Sequence, residues 1–112
     1  MSDTSFRSLD TVHDWTAARE ASSSHPVVIF KHSSMCPTSA RANEEMQSLT
    51  EASVQIYRVV VQEARDVSDT IAEDLDIRHE TPQVIVLSKG APVFDTSHHR
   101  VKADAVRDAL PA

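Results

Sequence analysis

Apolar residues follow two different spacings along this chain of 112 residues, and the two spacings alternate from its start to its end. Short apolar runs rich in β-branched residues lie at 27–31, 54–61 and 83–87, and such runs are typical of buried strands. Between them, apolar residues recur every three or four positions, which predicts helices with one buried face. The helical groups are Val12, Trp15, Ala18; Ala42, Met46, Leu49; Val67, Ile71, Leu75; and Val106, Leu110.

The order of these segments predicts an α/β fold with the series β-α-β-α-β-α-β-β-α and a short first strand at 6–9. The alternation of strand and helix predicts parallel strands joined by right-handed crossovers, whereas a turn at Lys89 and Gly90 predicts a final antiparallel hairpin. We therefore expect one domain, over 1–112, with a mixed central sheet and helices on both faces.

Polar residues before two of the helical patterns are candidates for N-caps. We expect Asp10 or Thr11 to cap the first helix, and Asp66 or Ser68 to cap the third. Their side-chain oxygens can accept hydrogen bonds from the unpaired N–H groups of a first helical turn. The segment 102–110 is predicted to form the closing helix.

Charge and composition exclude several classes of function. The formal net charge is −6, from 17 acidic and 11 basic residues, which argues against nucleic acid and anionic membranes as partners. No apolar run reaches the roughly 20 residues of a membrane span, and residues 1–5 lack the pattern of a secretory leader. We expect a cytoplasmic monomer. The single glycine, Gly90, excludes Rossmann and P-loop nucleotide cradles, which need several closely spaced glycines.

The six histidines do not form a recognisable metal motif. They lack a Cys-x-x-Cys partner and the His-Glu-x-x-His spacing, so we interpret them as solvated side chains and expect no metal. The adjacent pair His98 and His99 is expected in an extended segment, where neighbouring side chains point to opposite faces.

Cys36 is the one cysteine of the sequence and the best candidate for a reactive atom. It follows a predicted strand and precedes Pro37, which suits the first position of a helix because that position needs no N–H donor. As an N-cap, Cys36 would lie beside unpaired N–H groups and the positive end of the helix dipole, which favour a thiolate. The alternative is a buried, inert cysteine, which free cysteines often are.

Four polar neighbours of Cys36 are candidates for supporting roles. Lys31 and His32 precede it by five and four residues and could add positive charge near the sulfur or near a ligand carboxylate. Thr38 and Ser39 lie in the first helical turn, where Ser39 could donate a hydrogen bond to the sulfur. Solvated loop residues are the alternative for the first pair, and simple helix capping is the alternative for the second.

The segment 30–39, Phe-Lys-His-Ser-Ser-Met-Cys-Pro-Thr-Ser, together with Thr81-Pro82-Gln83, resembles the monothiol bacilliredoxin family of the thioredoxin fold. The resemblance covers nearly the whole chain. It implies a thiol-disulfide oxidoreductase that removes the small thiol bacillithiol from protein mixed disulfides, with Cys36 as the nucleophile. It also implies that the Thr81–Pro82 bond is cis, faces Cys36 and presents the Thr81 backbone to an extended ligand.

The same resemblance places Ser39 where dithiol relatives carry a second, resolving cysteine. Cys36 would therefore stop at a mixed disulfide until bacillithiol or a reductase arrives, and the expected partners are S-bacillithiolated proteins. Two alternatives remain open: an iron–sulfur carrier like the monothiol glutaredoxins, whose Cys-Gly-Phe-Ser signature is missing from the sequence, and a thioredoxin-like binding module without catalysis.

Overall fold

The computed structural model describes residues 6–49 and 54–111, and its elements follow the predicted order. Within these residues no helix is long and apolar enough to cross a bilayer. Residues 1–5, on which the expectation of no leader rests, lie outside the described residues. The elements are β1 (Arg7–Ser8), α1 (Val12–Ala21), β2 (Val27–His32), α2 (Pro37–Gln47), β3 (Gln55–Val60), α3 (Arg65–Leu75), β4 (Gln83–Ser88), β5 (Ala91–Ser97) and α4 (Ala103–Ala109).

The five strands form one mixed sheet in the order β1-β3-β2-β4-β5. Strands β1, β3 and β2 are parallel, whereas β4 runs antiparallel to β2 and β5 antiparallel to β4, as predicted. The register pairs Lys31 of β2 with Gln83 of β4. The residues after β2 and the residues before β4 therefore lie at the same end of the sheet, which brings the cysteine loop close to Thr81 and Pro82.

Two apolar cores lie on opposite faces of the sheet, because successive side chains of a strand point to opposite sides. On one face, Val27 and Ile29 of the central strand pack with Trp15 of α1 and with residues of α3. On the other face, Val28 and Phe30 pack with the core of α2 and α4, whose buried members are Ala42, Met46, Ala103 and Val106. Since both faces of β2 are covered, its apolar run is continuous.

The helix starts confirm one predicted cap and correct another. Thr11 caps α1: its hydroxyl accepts a hydrogen bond from the Asp14 N–H, and the Asp14 carboxylate accepts one from the Thr11 N–H. The prediction that Asp66 or Ser68 caps α3 is wrong, because the helix already begins at Arg65 with Ala64 as its N-cap. The Ser68 side chain is fully buried instead of facing the free N–H groups.

The segment after β5 also differs from the prediction. His98–Arg100 forms a 3₁₀ turn rather than extended chain, and His98 adopts a positive φ of 57°. Two contacts explain the turn: the His98 N–H donates to the Pro82 carbonyl at 2.9 Å, and His98 Nε2 lies 3.0 Å from Glu80 Oε1. Among residues 6–49 and 54–111, no three His, Cys, Asp or Glu side chains come together as a metal site.

Candidate active site at Cys36

Cys36 is the N-cap of α2, as predicted, and it is partly exposed. Its backbone is extended (φ −114°, ψ 124°), and its carbonyl accepts a hydrogen bond from the Ala40 N–H at 3.1 Å. Pro37 occupies the first helical position, where a missing N–H leaves no hydrogen bond unmade. The local sequence therefore begins the helix at the residue after the thiol, and the thiol faces the free N–H groups of the first turn.

Hydrogen-bond donors of that first turn lower the pKa of the Cys36 thiol, although the thiol makes no cap hydrogen bond of regular geometry. The backbone N–H of Ser39 contributes most, the N–H of Thr38 comes next, and the hydroxyls of both residues add smaller effects. Partial burial of the sulfur opposes them. Because all four donors stabilise the charged form, the sulfur gains thiolate character, and the thiolate is the form that attacks a disulfide.

Ser39 is fully buried and links the sulfur to the loop before it. Its hydroxyl oxygen accepts a hydrogen bond from the Ser33 N–H at 3.2 Å, which leaves the hydroxyl hydrogen free to point at the sulfur. The sequence offered capping or sulfur contact as alternatives for Ser39. The capping alternative is weakened, since the Ser39 oxygen bonds to the loop and not to its own helix.

Gln62, in the turn after β3, holds the cysteine loop from outside. Its Nε2 donates to the Ser33 hydroxyl oxygen at 2.7 Å, and its Oε1 accepts from the Ser34 N–H at 3.1 Å. The Met35 N–H also donates to the Ser33 oxygen, at 3.3 Å. Sequence reasoning missed Gln62 because nothing in its local pattern sets it apart from an ordinary turn residue, and it lies 29 residues from Ser33.

Lys31 points away from these groups, into the core beneath α3. Its side chain is fully buried, and its Nζ donates to the Ser68 carbonyl at 3.0 Å and lies 3.2 Å from His79 Nδ1. Burial lowers the pKa of the Lys31 amine to about 8, and the nearby Asp69 carboxylate only partly opposes this. None of the described contacts of Lys31 is to Cys36, so its role in supporting the thiol stays a prediction.

His79 is a second residue of this region that the sequence did not identify, because all six histidines are interpreted from it as solvated side chains. Its Nδ1 lies between Lys31 Nζ and the Ser68 hydroxyl, which is 3.1 Å away. Burial is the main cause that lowers the pKa of His79, and the Lys31 charge adds to it. Since both neighbours can donate to Nδ1, the neutral ring carries its hydrogen on Nε2.

His32 lies on the other face of β2 from Lys31. Its ring packs against Phe30, with centroids 5.5 Å apart, and its Nδ1 has no hydrogen-bond partner among the described residues. Burial lowers the pKa of His32, the Arg58 charge lowers it further, and the backbone of Ser39 opposes both. A neutral imidazole is therefore favoured, which argues against His32 as a source of positive charge near the sulfur.

Thr81 and Pro82 lie at the same end of the sheet as the cysteine loop, and the bond between them is cis, as the resemblance implied. Pro82 is buried, and its carbonyl accepts the His98 N–H. Within the described residues, the backbone N–H and carbonyl of Thr81 have no hydrogen-bond partner. This short stretch of backbone is therefore free to pair with another chain.

Two of the grooves formed by the described residues flank the cysteine loop. The first, here the Arg41 groove, opens between α2 and the segment before α4; the second, the Thr81 groove, opens between the cysteine loop and α3. The Arg41 groove is lined by Pro37, Thr38, Arg41, His99 and Lys102. The Thr81 groove is lined by Ser33, Val61, Gln62, Arg65, His79 and Thr81.

Comparisons with known proteins agree with this geometry. The sequence model of the family described as monothiol bacilliredoxin BrxC matches residues 7–106. A solved protein described as having a thioredoxin fold and a proposed oxidoreductase activity is 28% identical, with a TM-score of 0.84 over 92% of this chain and 91% of that one. Fasciola hepatica thioredoxin is 14% identical, with a TM-score of 0.75 over 92% and 94% of the two chains.

A thioredoxin from Halobacterium salinarum, carrying one substitution, is 13% identical, with a TM-score of 0.76 over 98% of this chain and 91% of that one. At identities this low, the two thioredoxins show the fold alone. The match over residues 7–106 carries more weight, because it includes Cys36, the first turn of α2, and the Thr81–Pro82 bond.

Proposed function

Because the chain belongs to the monothiol bacilliredoxin family, we propose that it removes bacillithiol from protein mixed disulfides through Cys36. The thioredoxin fold and the family membership together indicate a thiol redox function. The observation that supports this proposal is the environment of Cys36. Its lone thiol is partly exposed, and the N–H groups of Ser39 and Thr38 lower its pKa. This is the microenvironment of a reactive cysteine rather than a structural one.

In the proposed reaction the Cys36 thiolate attacks the bacillithiol sulfur of the mixed disulfide. A new disulfide forms between Cys36 and bacillithiol while the disulfide between bacillithiol and the target breaks. The electron pair of the broken bond leaves on the target sulfur, which then takes a proton from solvent. The target cysteine is thus reduced, and Cys36 is oxidised to a mixed disulfide.

Regeneration needs a thiol from outside the protein. Ser39 occupies the position one turn after Cys36, and its hydroxyl cannot displace the bound thiol. A second bacillithiol, or the thiol of a reductase, therefore attacks the adduct and releases Cys36 as a thiolate. We assign this cycle to the cytoplasm, because a reducing compartment keeps a lone thiol free between turnovers.

The unpaired backbone of Thr81 could serve as the docking site for the bacillithiolated target protein. An extended peptide around the modified cysteine can pair with the unpartnered N–H and carbonyl of Thr81, as a strand adds to a sheet edge. The paired peptide would hold its disulfide beside the cysteine loop, since the loop and Thr81 lie at the same end of the sheet.

Mass spectrometry tests the proposal directly. The protein is mixed with a model protein that carries bacillithiol on one cysteine, and the masses of both proteins are followed with time. We expect bacillithiol to move from the target to Cys36 and the target to become reduced. Cys36→Ser is the matched control, because it keeps a small polar N-cap and removes only the thiolate; it should leave the target modified.

A parallel target carrying glutathione identifies the thiol that the protein prefers. Faster removal of bacillithiol than of glutathione supports the proposal. Equal or faster removal of glutathione would keep the thiol-disulfide exchange and overturn the assignment to bacillithiol. A wild-type protein that forms no adduct with either target would overturn the catalytic role of Cys36.

A further inference from the structure

Of the two grooves, the Arg41 groove is the closer in sequence to the reactive thiol, since Pro37 and Thr38, the two residues after Cys36, form part of its wall. It has a volume of about 420 Å³. The opposite wall comes from His99 and Lys102, in the segment between β5 and α4. A ligand attached to the Cys36 sulfur could therefore extend into this groove.

The charge of the groove is opposite to that of the protein. The chain has a formal net charge of −6, yet the ionisable side chains that line the groove are Arg41, His99 and Lys102. All three are exposed, and none makes an ion pair or hydrogen bond within the described residues. The groove thus presents two permanent cations, one on each wall, without an acidic partner among its lining residues.

Two hydrogen bonds hold the walls of this groove in place. The Glu45 carboxylate, one turn after Arg41, accepts the Ala103 N–H at 2.7 Å and ties the start of α4 to α2. At the other end, the His98 N–H donates to the Pro82 carbonyl at 2.9 Å. Glu45 is bonded to Ala103 and is not among the residues that line the groove. The groove is formed before any ligand arrives, which lowers the cost of binding.

The Thr81 groove is less suited to an anion. It contains one permanent cation, Arg65, and a histidine, His79, that is kept neutral by burial and by the charge of Lys31. Of its other polar lining residues, Ser33 and Gln62 are bonded to each other, and Thr81 offers only an uncharged hydroxyl and backbone N–H. An anionic ligand on Cys36 would therefore be drawn to the Arg41 groove.

We propose that the Arg41 groove binds the carboxylates of the small thiol while its sulfur is bonded to Cys36, with Arg41 and Lys102 as the binding residues. The inference rests on the proposed function and adds the chemical class of the ligand, a small thiol bearing carboxylates. An arginine fork and a lysine on facing walls suit carboxylate oxygens, one by paired hydrogen bonds and the other as a point charge.

Two chromogenic disulfides test the groove without bacillithiol. Dithiobis(nitrobenzoate) carries carboxylates and dithiodipyridine is neutral, and the rate at which Cys36 reacts with each is followed by absorbance at low salt. In the double variant Arg41→Glu/Lys102→Glu, we expect the ratio of the anionic to the neutral rate to fall about tenfold. Salt should lower this ratio in the wild type. Using the ratio cancels changes in the reactivity of the sulfur itself.

Arg7→Glu/Lys89→Glu is the control for net charge, because it also reverses two positive charges, at exposed residues that do not line the groove. It should change the ratio less than twofold. An unchanged ratio in Arg41→Glu/Lys102→Glu, with circular dichroism showing intact structure, would overturn the proposal that the groove binds carboxylates. The proposed exchange activity on bacillithiolated protein would be unaffected by that result. If the ratio falls in the double variant but the wild type leaves bacillithiolated targets modified, the groove binds carboxylates and the proposed function is wrong.

Discussion

Cys36 and Lys31 lie five residues apart, and the fold lowers the pKa of both, for opposite reasons. At Cys36, the N–H groups of Ser39 and Thr38 stabilise the charged thiolate, so a lower pKa means more charge at neutral pH. At Lys31, burial destabilises the charged ammonium, so a lower pKa, about 8, means less charge. One region is built to hold a charge at the surface, and the other tolerates a charge in the core.

This difference distinguishes a reactive group, Cys36, from a structural one, Lys31. The helix start supplies donors to a partly exposed atom, which is the arrangement that a nucleophile needs. The buried amine is satisfied by the Ser68 carbonyl and His79 Nδ1, which fixes α3 and the segment before Pro82 against β2. A strongly shifted group is thus a guide to function only together with its exposure and the cause of its shift.

The largest expected effect comes from giving the helix start a second thiol. Ser39→Cys replaces a hydroxyl that lowers the pKa of the Cys36 thiol by a thiol that can attack the disulfide on Cys36. We expect the mixed disulfide on Cys36 to be resolved internally, with at least about tenfold less persistent adduct after exposure to bacillithiol disulfide. Mass spectrometry should show an internal disulfide, two hydrogens lighter than the reduced variant, in place of the adduct.

Ser34→Cys is the matched control, because Ser34 is exposed in the same loop but precedes the helix. It adds the same group without placing it in the first turn. An adduct on Cys36 that persists equally in the wild type and in Ser39→Cys would contradict the contact between residues 36 and 39.

The second prediction concerns the buried charge. A base whose pKa is lowered on folding loses its proton before the unfolded chain does, so the free energy of unfolding rises with pH between the two pKa values. For Lys31 these are about 8 in the folded protein and the ordinary 10.5. From about pH 7 to about pH 9.5, the wild type should gain about 2 kcal/mol relative to Lys31→Met.

Urea unfolding of both proteins at the two pH values measures this gain, and the difference cancels other groups that titrate in the same range. Lys89→Met is the control, because an exposed lysine loses little hydration on folding and its removal should leave the pH dependence of the wild type unchanged. Parallel curves for the wild type and Lys31→Met would mean that water reaches the Lys31 amine.

Local signals were enough to predict Cys36 as the N-cap, Pro37 as the first helical residue, and the order of the elements. The orientation of Lys31 follows from the same kind of signal: with Val27 and Ile29 on the face of α1 and α3, a period of two places Lys31 there as well. Closeness along the chain alone would place Lys31 near Cys36, whereas the alternation of side chains turns it to the opposite face from His32.

The partners of the site could not be predicted in the same way. His79 lies 48 residues from Lys31, and only the packing of α3 and the segment after it on β2 brings them together. The 3₁₀ turn at His98–Arg100 similarly depends on the Pro82 carbonyl, a contact between segments distant in sequence. Such contacts leave no periodicity or capping signal in the sequence. The Arg41 groove, which the turn helps to form, therefore could not be predicted either.

The smallest expected effect tests which donors hold the thiolate. Thr38→Val keeps the shape of the side chain and the backbone N–H but removes one hydroxyl, whose effect on the Cys36 pKa is smaller than that of either N–H group. The pKa of Cys36 should rise slightly, and the rate of alkylation by iodoacetamide near neutral pH should fall only about two- to threefold. A neutral reagent is used because Thr38 also lines the Arg41 groove.

Lys31→Met completes this test, because its alkylation profile with pH should match that of the wild type if the two charge sites act independently. A fall of more than about tenfold in Thr38→Val would show that hydroxyls, not backbone N–H groups, hold the charge on the sulfur. A shifted profile in Lys31→Met would show that the buried ammonium acts on the thiol across β2. The Lys31 ammonium in the core would then stabilise the thiolate together with the donors of the helix start.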